Sequence, residues 1–190
     1  MMTGTLPILI LLCVTTICAG DWVVWEYDLR SAPPGWEFEH EWVFSSEGVR
    51  MDEYVGSPYT SEWGHIYSLD VVIPEGCDSI ILHIEQDLSV TSSGNGYAGA
   101  ELDYRLNGAE WLPLLNVGIW YQSTVPIHED IPAAPGQVLD LHFEAYAGKG
   151  NDMYPGWGSI DWLLYDLTLT FYGEQVSFEQ TTWGAIKGAM

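Results

Sequence analysis

Aromatic side chains placed beside carboxylates are the groups in this chain best suited to chemistry. The 190 residues include ten Trp and eleven Tyr, and 27 Asp and Glu against five Lys and Arg. Flat aromatic faces stack on the C–H faces of sugar rings, while neighbouring carboxylates and amides accept hydrogen bonds from hydroxyl groups. Outside the clearest strand patterns, such aromatic residues occur as three pairs: Tyr59 and Trp63, Trp120 and Tyr121, and Tyr154 and Trp157. We predict that these loop aromatics bind a glycan or another cell-surface ligand; the alternative is that each ring folds over an end of the core as a lid.

Paired carboxylates suited to catalysis are harder to find. Glu101 and Asp103 lie two residues apart and face outward from one predicted strand. Laminarinase-like jelly-roll hydrolases use Glu-x-Asp-x-(x)-Glu along one strand face, and Arg105 stands here where the last Glu is needed. The five histidines show no His-x-His or His-Glu-x-x-His spacing. The sequence therefore predicts a non-catalytic protein, with a small glycoside hydrolase as the less favoured alternative.

Oxygen donors near the end of the chain suggest a structural Ca²⁺ site. Ca²⁺ takes six to eight oxygen ligands from carboxylates, amides and carbonyls held by irregular loops. The candidate ligands are Asn151 and Asp152 in a predicted loop, Asp161 in the strand that follows, and Asp28 near the end of the first strand. The alternative is that the acidic residues serve only solubility or reflect a saline habitat.

The elements that must position these residues are β-strands, because apolar and polar side chains alternate along most of the chain. The pattern is clear in residues 22–29, 36–44, 80–90, 100–106 and 139–145, and again in 163–171. In the last of these stretches Leu163, Tyr165 and Leu167 are predicted to share the apolar face. Period-two alternation predicts strands with one buried and one solvated face, which is typical of antiparallel sheets. Turn residues separate the strands, and Asn107-Gly108 is a strong hairpin signal because both residues tolerate positive φ. The prediction is an all-β fold, a two-sheet antiparallel β-sandwich.

Two longer stretches give the chain a family resemblance. Residues 100–114 combine a strand, the Asn-Gly hairpin and Trp111, while 138–146 are followed by Gly156-Trp157-Gly158-Ser159-Ile160-Asp161-Trp162. The chain thereby resembles the secreted jelly-roll β-sandwich modules of bacteria, both MAM-like and carbohydrate-binding-module-like, over roughly residues 22–172. The resemblance implies a jelly-roll topology. It also implies an Asp where this chain has Trp162, so any metal or hydrogen-bonding role of that position does not carry over.

The chain divides into a leader, one domain and a tail. Residues 1–20 have no charged side chain, contain the apolar run Leu6–Val14 and end in small residues, which is typical of a secretory signal peptide. The alternative is an uncleaved anchor. Residues 21–173 are predicted to form the β-sandwich, and 174–190 a short C-terminal tail. Since two of the three cysteines leave with the leader, Cys77 is expected to be free and half-buried near a turn.

The net charge and the tail limit the classes of partner that the sequence predicts. A formal net charge of -22 disfavours nucleic acid and anionic membranes, whose binding depends on Lys and Arg. We predict an extracellular or cell-surface protein. Thr181–Lys187 is similar to a Trp-Gly-x-Ile-Lys ending of some exported bacterial proteins, which suggests a sorting or docking partner for the tail; the alternative is a frayed terminus. The alternative function is a structural or adhesive component of a bacterial cell surface or extracellular assembly.

Overall fold

The structure, a computed structural model, describes residues 22–56, 61–68, 70–149 and 156–173. Within these ranges all regular elements are β-strands. Their bounds are β1 Trp22–Asp28, β2 Glu37–His40, β3 Val43–Phe44, β4 Val49–Val55, β5 Ser61–Tyr67, β6 Val71–Val72, β7 Ser79–Ser93, β8 Tyr97–Leu106, β9 Leu112–Gly118, β10 Tyr121–Ser123, β11 Ile127–Pro132, β12 Val138–Gly148 and β13 Trp157–Tyr172.

These strands form two antiparallel sheets. In the first sheet the order is β10, β7, β13, β4, β3, with β11 also beside β7 and β1 also beside β13. In the second sheet the order is β2, β5, β12, β8, β9, with β6 also beside β12. The chain passes back and forth between the sheets, from β4 to β5, from β7 to β8 and from β12 to β13. The predicted all-β, two-sheet antiparallel sandwich of jelly-roll type is confirmed.

The core between the sheets follows from the alternation along each strand. In β12 the apolar positions Leu139, Leu141, Phe143 and Ala145 are all fully buried, and the polar residues between them face outward. Burying one large apolar side chain contributes about 1.5–3 kcal/mol, so the alternating pattern of β12 fixes which face packs inward. The polar face of the same strand is left for the outside of the sandwich.

In β13 the alternation changes phase at a β-bulge. The register against β7 shifts between Leu164 and Asp166, so that two residues on the bulged strand replace one. Before the shift Trp162 and Leu164 belong to the core, and after it Leu167 and the residues in phase with it do. The sequence prediction that Leu163 and Tyr165 share the core face of Leu167 is therefore wrong.

Trp162 lies in the middle of the core. Its side chain is fully buried, with ring centroids 5.8 Å from Trp42 and 6.0 Å from Phe143. Its indole N–H donates a hydrogen bond of 2.8 Å to the side-chain oxygen of Gln86, which is itself buried. The amide nitrogen of Gln86 in turn donates to the carbonyl of Val125 at 3.2 Å. The position at which the resembled modules carry an Asp is here a packing position that faces inward.

Cys77 is a free cysteine, as predicted, but it is fully buried rather than half-buried. Burial raises the pKa of its thiol, which donates a hydrogen bond to the carbonyl oxygen of Ser79 at 3.1 Å.

The leader at 1–20 and the tail at 174–190 lie outside the described residues. The part of the chain that the structure describes holds no helix long and apolar enough to cross a membrane.

Candidate ligand-binding face

The outward side of the second sheet collects aromatic, acidic and histidine side chains on three adjacent strands. We call this surface the outer face; its side chains are Trp63, His65 and Tyr67 of β5, His142, Glu144 and Tyr146 of β12, and Glu101 and Asp103 of β8. The strand register places them in rows. Tyr146 is the cross-strand partner of Trp63, and Glu144 is the partner of both His65 and Glu101. Directly paired residues have Cβ atoms about 5 Å apart, so side chains 40 or 80 residues apart in sequence become neighbours.

An aromatic pair lies at one end of the outer face. The rings of Trp63 and Tyr146 are stacked, with centroids 4.9 Å apart and planes inclined by 25°. Trp63 is 40% exposed, and the ring of Tyr97 lies 6.3 Å from that of Tyr146. Gly99, the partner of Tyr146 on β8, leaves room for this ring, because a Cβ there would overlap it. The result is a partly exposed pair of stacked rings.

Carboxylates adjoin this pair. Glu144 is two residues from Tyr146 on β12, with Glu101 beside it on β8. Burial raises the pKa of Glu144, as do the neighbouring Glu101 and Asp103, while His65 lowers it. The oxygens of this group can accept hydrogen bonds from hydroxyl groups, and their charge disfavours an anionic ligand.

Two histidines occupy the middle of the outer face. His65 Nδ1 lies 3.1 Å from His142 Nε2, and the rings are near parallel, with an interplanar angle of 15°. The ring of Tyr67 stacks on that of His142, with centroids 4.6 Å apart. Burial lowers the pKa of His142, and the neighbouring His65 lowers it further. The carboxylates of Asp103 and Glu39 act in the opposite direction and raise the pKa of His142, but the lowering effects are larger.

An ion pair and a second indole close the far end of the outer face. Arg105 Nε lies 2.7 Å from Asp140 Oδ2, and the guanidinium stands 4.4 Å from the ring centroid of Trp111. The Trp111 ring lies 5.4 Å from that of His142. This end therefore presents a cation–π contact next to the histidines.

The Asn-Gly hairpin brings Trp111 back over the sheet. Asn107 and Gly108 have φ values of 53° and 66°, and they join β8 to β9 as the sequence predicted. The Asn107 side-chain oxygen also accepts a hydrogen bond of 2.9 Å from the Val138 N–H, which fixes the turn against β12.

Among the predicted loop aromatics that the structure describes, Trp63 is the one on the outer face, and it lies within β5 rather than in a loop. Trp157 is also in a strand, at the start of β13 in the first sheet, where its ring centroid lies 5.6 Å from that of Tyr54. Tyr59 and Tyr154 lie outside the described residues.

Trp120 and Tyr121 belong to the first sheet as well. Trp120 stands at positive φ directly before β10 and is 68% exposed. Tyr121 opens β10, where it is half-buried and packs against the core. The described members of the predicted set are thus divided between two opposite sheets.

The structure does not bring together the two described candidates for Ca²⁺. Asp28 is the partner of Asp166, five residues along β13 from Asp161, which corresponds to about 16 Å. Each carboxylate has its own Arg: Arg30 Nε lies 2.8 Å from Asp28, and Arg50 Nε donates to Asp161 at 2.7 Å. Asn151 and Asp152 lie outside the described residues, so a Ca²⁺ site that includes them stays a prediction.

Sequence reasoning missed the grouping of His65, His142 and Glu144. The alternation had already placed His142 and Glu144 on the polar face of one strand, which was the available signal. The missing information was the register that sets His65 beside Glu144.

Comparisons with known proteins give no family for this chain: no family model matches it, and no curated protein does. Among solved structures, it is similar to TmCBM61 in complex with β-1,4-galactotriose, with 11% identity, a TM-score of 0.30, and 76% of this chain and 87% of that one covered. It is also similar to the N-terminal cellulose-binding domain of β-1,4-glucanase C from Cellulomonas fimi, with 16% identity, a TM-score of 0.26, and 80% and 94% covered. A third is a chain of infectious bursal disease virus, Gx strain, with 14% identity, a TM-score of 0.32, and 93% and 42% covered. TM-scores this low leave the function to be argued from the outer face itself.

Proposed function

We propose that this protein is a non-catalytic module that binds neutral glycans on the outer face of its second sheet. The observation that carries the proposal is the stacked pair of Trp63 and Tyr146, which is partly exposed and lies beside Glu144. Exposing the apolar face of a Trp side chain to water is unfavourable, and covering that face with the C–H face of a sugar ring is favourable. The carboxylate next to it can accept the hydroxyl hydrogen bonds of the same ring.

The extent of the outer face favours a chain of sugars over a single ring. From Tyr146 to Asp140 the surface runs six residues along β12, or about 20 Å. It carries aromatic rings at both ends, with Trp63 at one and Trp111 at the other. Two separated stacking sites connected by hydrogen-bond acceptors suit an extended oligosaccharide.

The charge of the outer face indicates the class of glycan. Glu101, Asp103 and Glu144 crowd its centre, and Arg105 is already paired with Asp140. A uronate or sulfated polymer would meet like charge there, whereas a neutral polymer offers hydroxyl donors. Neutral glycans are therefore the proposed ligands.

Location outside the cell is part of the proposal and is supported by the apolar, uncharged leader at 1–20. The alternative of a structural or adhesive component depends on the tail at 174–190, outside the described residues, and stays a prediction.

Binding to soluble neutral polysaccharides, measured by affinity electrophoresis and isothermal titration, tests the proposal. We expect Trp63→Ala and Tyr146→Ala each to weaken binding at least tenfold, which corresponds to about 1.4 kcal/mol for one stacking surface. Trp120→Ala is the control, because this indole is even more exposed than Trp63 but lies beside the other sheet. Near-UV circular dichroism of each variant checks that the core is intact.

Three results would overturn the proposal: no binding to any neutral polysaccharide, unchanged binding by Trp63→Ala, or loss through Trp120→Ala alone. Reducing-end assays on the bound polymer check the non-catalytic part, and hydrolysis that disappears in Glu101→Gln would contradict it. A charged polymer such as polygalacturonate should bind at least tenfold more weakly than a neutral one.

A further inference from the structure

Three side chains in the middle of the outer face converge on one point. His65 Nδ1 lies 3.1 Å from His142 Nε2 and 3.9 Å from Glu144 Oε2, and one ligand atom from each residue lies within 4.8 Å of the others. Ligand atoms at about 2.1 Å from a tetrahedral Zn²⁺ are roughly 3.4 Å apart. The two observed distances lie on either side of that value, so small side-chain rotations suffice to place all three atoms around one ion.

The sheet itself holds this triangle in place. His142 and Glu144 stand two residues apart on β12 and therefore project from the same side, while His65 is the direct partner of Glu144 on β5. The residues between and opposite them, Phe143 and Ile66, are buried in the core. Ligands on paired strands are more rigidly placed than ligands on loops.

A fourth residue supports one of the ligands. Asp103 Oδ2 lies 3.7 Å from His142 Nδ1, the ring nitrogen opposite the one that faces His65. Metal-binding histidines commonly donate their second ring N–H to a carboxylate, which fixes the tautomer and orientation of the ring. With the proton of His142 on Nδ1, the lone pair of Nε2 is directed towards the cluster.

We propose that His65, His142 and Glu144 bind a divalent transition-metal ion of the Zn²⁺ type, with Asp103 as a positioning residue for His142. Two imidazole nitrogens and one carboxylate are a donor set for Zn²⁺ rather than for Ca²⁺, which takes oxygen ligands. The side chains of His65 and Glu144 are 22% and 19% exposed to solvent. The ion therefore has access from solvent and a fourth position open to water or to a ligand hydroxyl.

The first sheet offers a matched control. His83 Nε2 lies 3.0 Å from Glu85 Oε1, and the ring of His128 lies 5.7 Å from that of His83. This group also has two histidines and a glutamate. It does not meet the geometry above; among the described residues the cluster of His65, His142 and Glu144 alone does.

Titration of chelator-treated protein with ZnCl₂, without any glycan, is the decisive experiment. We expect one ion per chain by isothermal titration, unaffected by excess Ca²⁺, and an increase in Tm when Zn²⁺ is added. His142→Ala and Glu144→Gln should each weaken binding at least tenfold. Asp103→Asn should also weaken it about tenfold, and Co²⁺ bound to that variant should show an altered visible spectrum.

The proposal is overturned if the protein binds no Zn²⁺, if His142→Ala leaves the affinity unchanged, or if His83→Ala weakens it as much. If His142→Ala does not fold, His65→Gln provides the same test. Trp63→Ala should bind Zn²⁺ normally, so a failure of the glycan proposal is distinguishable from a failure of this one.

Discussion

The buried hydrogen bond between Trp162 and Gln86 should couple the two residues energetically. Trp162→Phe removes the N–H donor and leaves the buried side-chain oxygen of Gln86 without its partner. An unsatisfied buried polar atom costs about 1–3 kcal/mol. The smaller ring leaves roughly 40 Å³ empty, which adds about 1 kcal/mol at about 24 cal/mol per Å³. We expect Trp162→Phe to lower the free energy of unfolding by about 2–4 kcal/mol.

Gln86→Leu removes the acceptor of the same hydrogen bond. The indole N–H of Trp162 is then unsatisfied within the core, and the loss should again be about 1–3 kcal/mol. In the double variant both partners of this hydrogen bond are gone. The carbonyl of Val125 loses its donor in the single and the double Gln86 variant alike, so that loss cancels in the comparison. The destabilisation of the double variant should therefore be smaller than the sum of the two single changes by at least about 2 kcal/mol, because both unsatisfied-group costs of about 1–3 kcal/mol disappear.

Guanidinium unfolding followed by far-UV circular dichroism measures all four proteins, with free energies from linear extrapolation. Equal m-values across the set are the control that the unfolded states are comparable. Single-variant losses that add to within about 0.3 kcal/mol would refute the reasoning, since independent sites add and a shared buried hydrogen bond does not.

Two further predictions concern a buried thiol and a half-buried ion pair. In protein without residues 1–20, Cys77 should react with Ellman's reagent only after unfolding, because burial raises its pKa and blocks access; rapid labelling of the folded protein at pH 8 would contradict this. Arg105→Met should destabilise the protein by about 3 kcal/mol, because it leaves the buried carboxylate of Asp140 without its ion-pair partner. Arg30→Met should cost under about 1 kcal/mol, because the partner carboxylate of Asp28 is exposed. Thermal unfolding of both variants compares the two ion pairs.

The features that the sequence predicted well are those that depend only on residues close together in the chain. The alternation in 139–145 gave the buried and outward sides of β12, because a strand needs no other information to separate its faces. The Asn107-Gly108 hairpin was likewise predicted, since its positive φ values depend on two adjacent residues. These local signals were enough for the fold class.

The candidate site could not be predicted in the same way, because it depends on register between distant strands. His65 and His142 are brought to 3.1 Å by the pairing of β5 with β12, which no spacing within either strand reveals. The β-bulge near Tyr165 is a similar case, since an unbroken alternation in the sequence conceals the change of phase. Trp63 was assigned to a loop because the short pattern around it is weak, whereas pairing with β12 makes it part of a strand.

The position of β13 in the first sheet has a consequence for how the protein is made. This strand pairs with β1, β4 and β7, so residues 157–172 hold together segments that precede them by up to about 150 positions. Such a high contact order implies slow folding, on the order of milliseconds to seconds, because long loops must close before any pairing is rewarded. During synthesis the strands of the first sheet emerge without their central partner. The nascent chain must therefore keep unpaired strand edges and core residues from associating until β13 has left the ribosome.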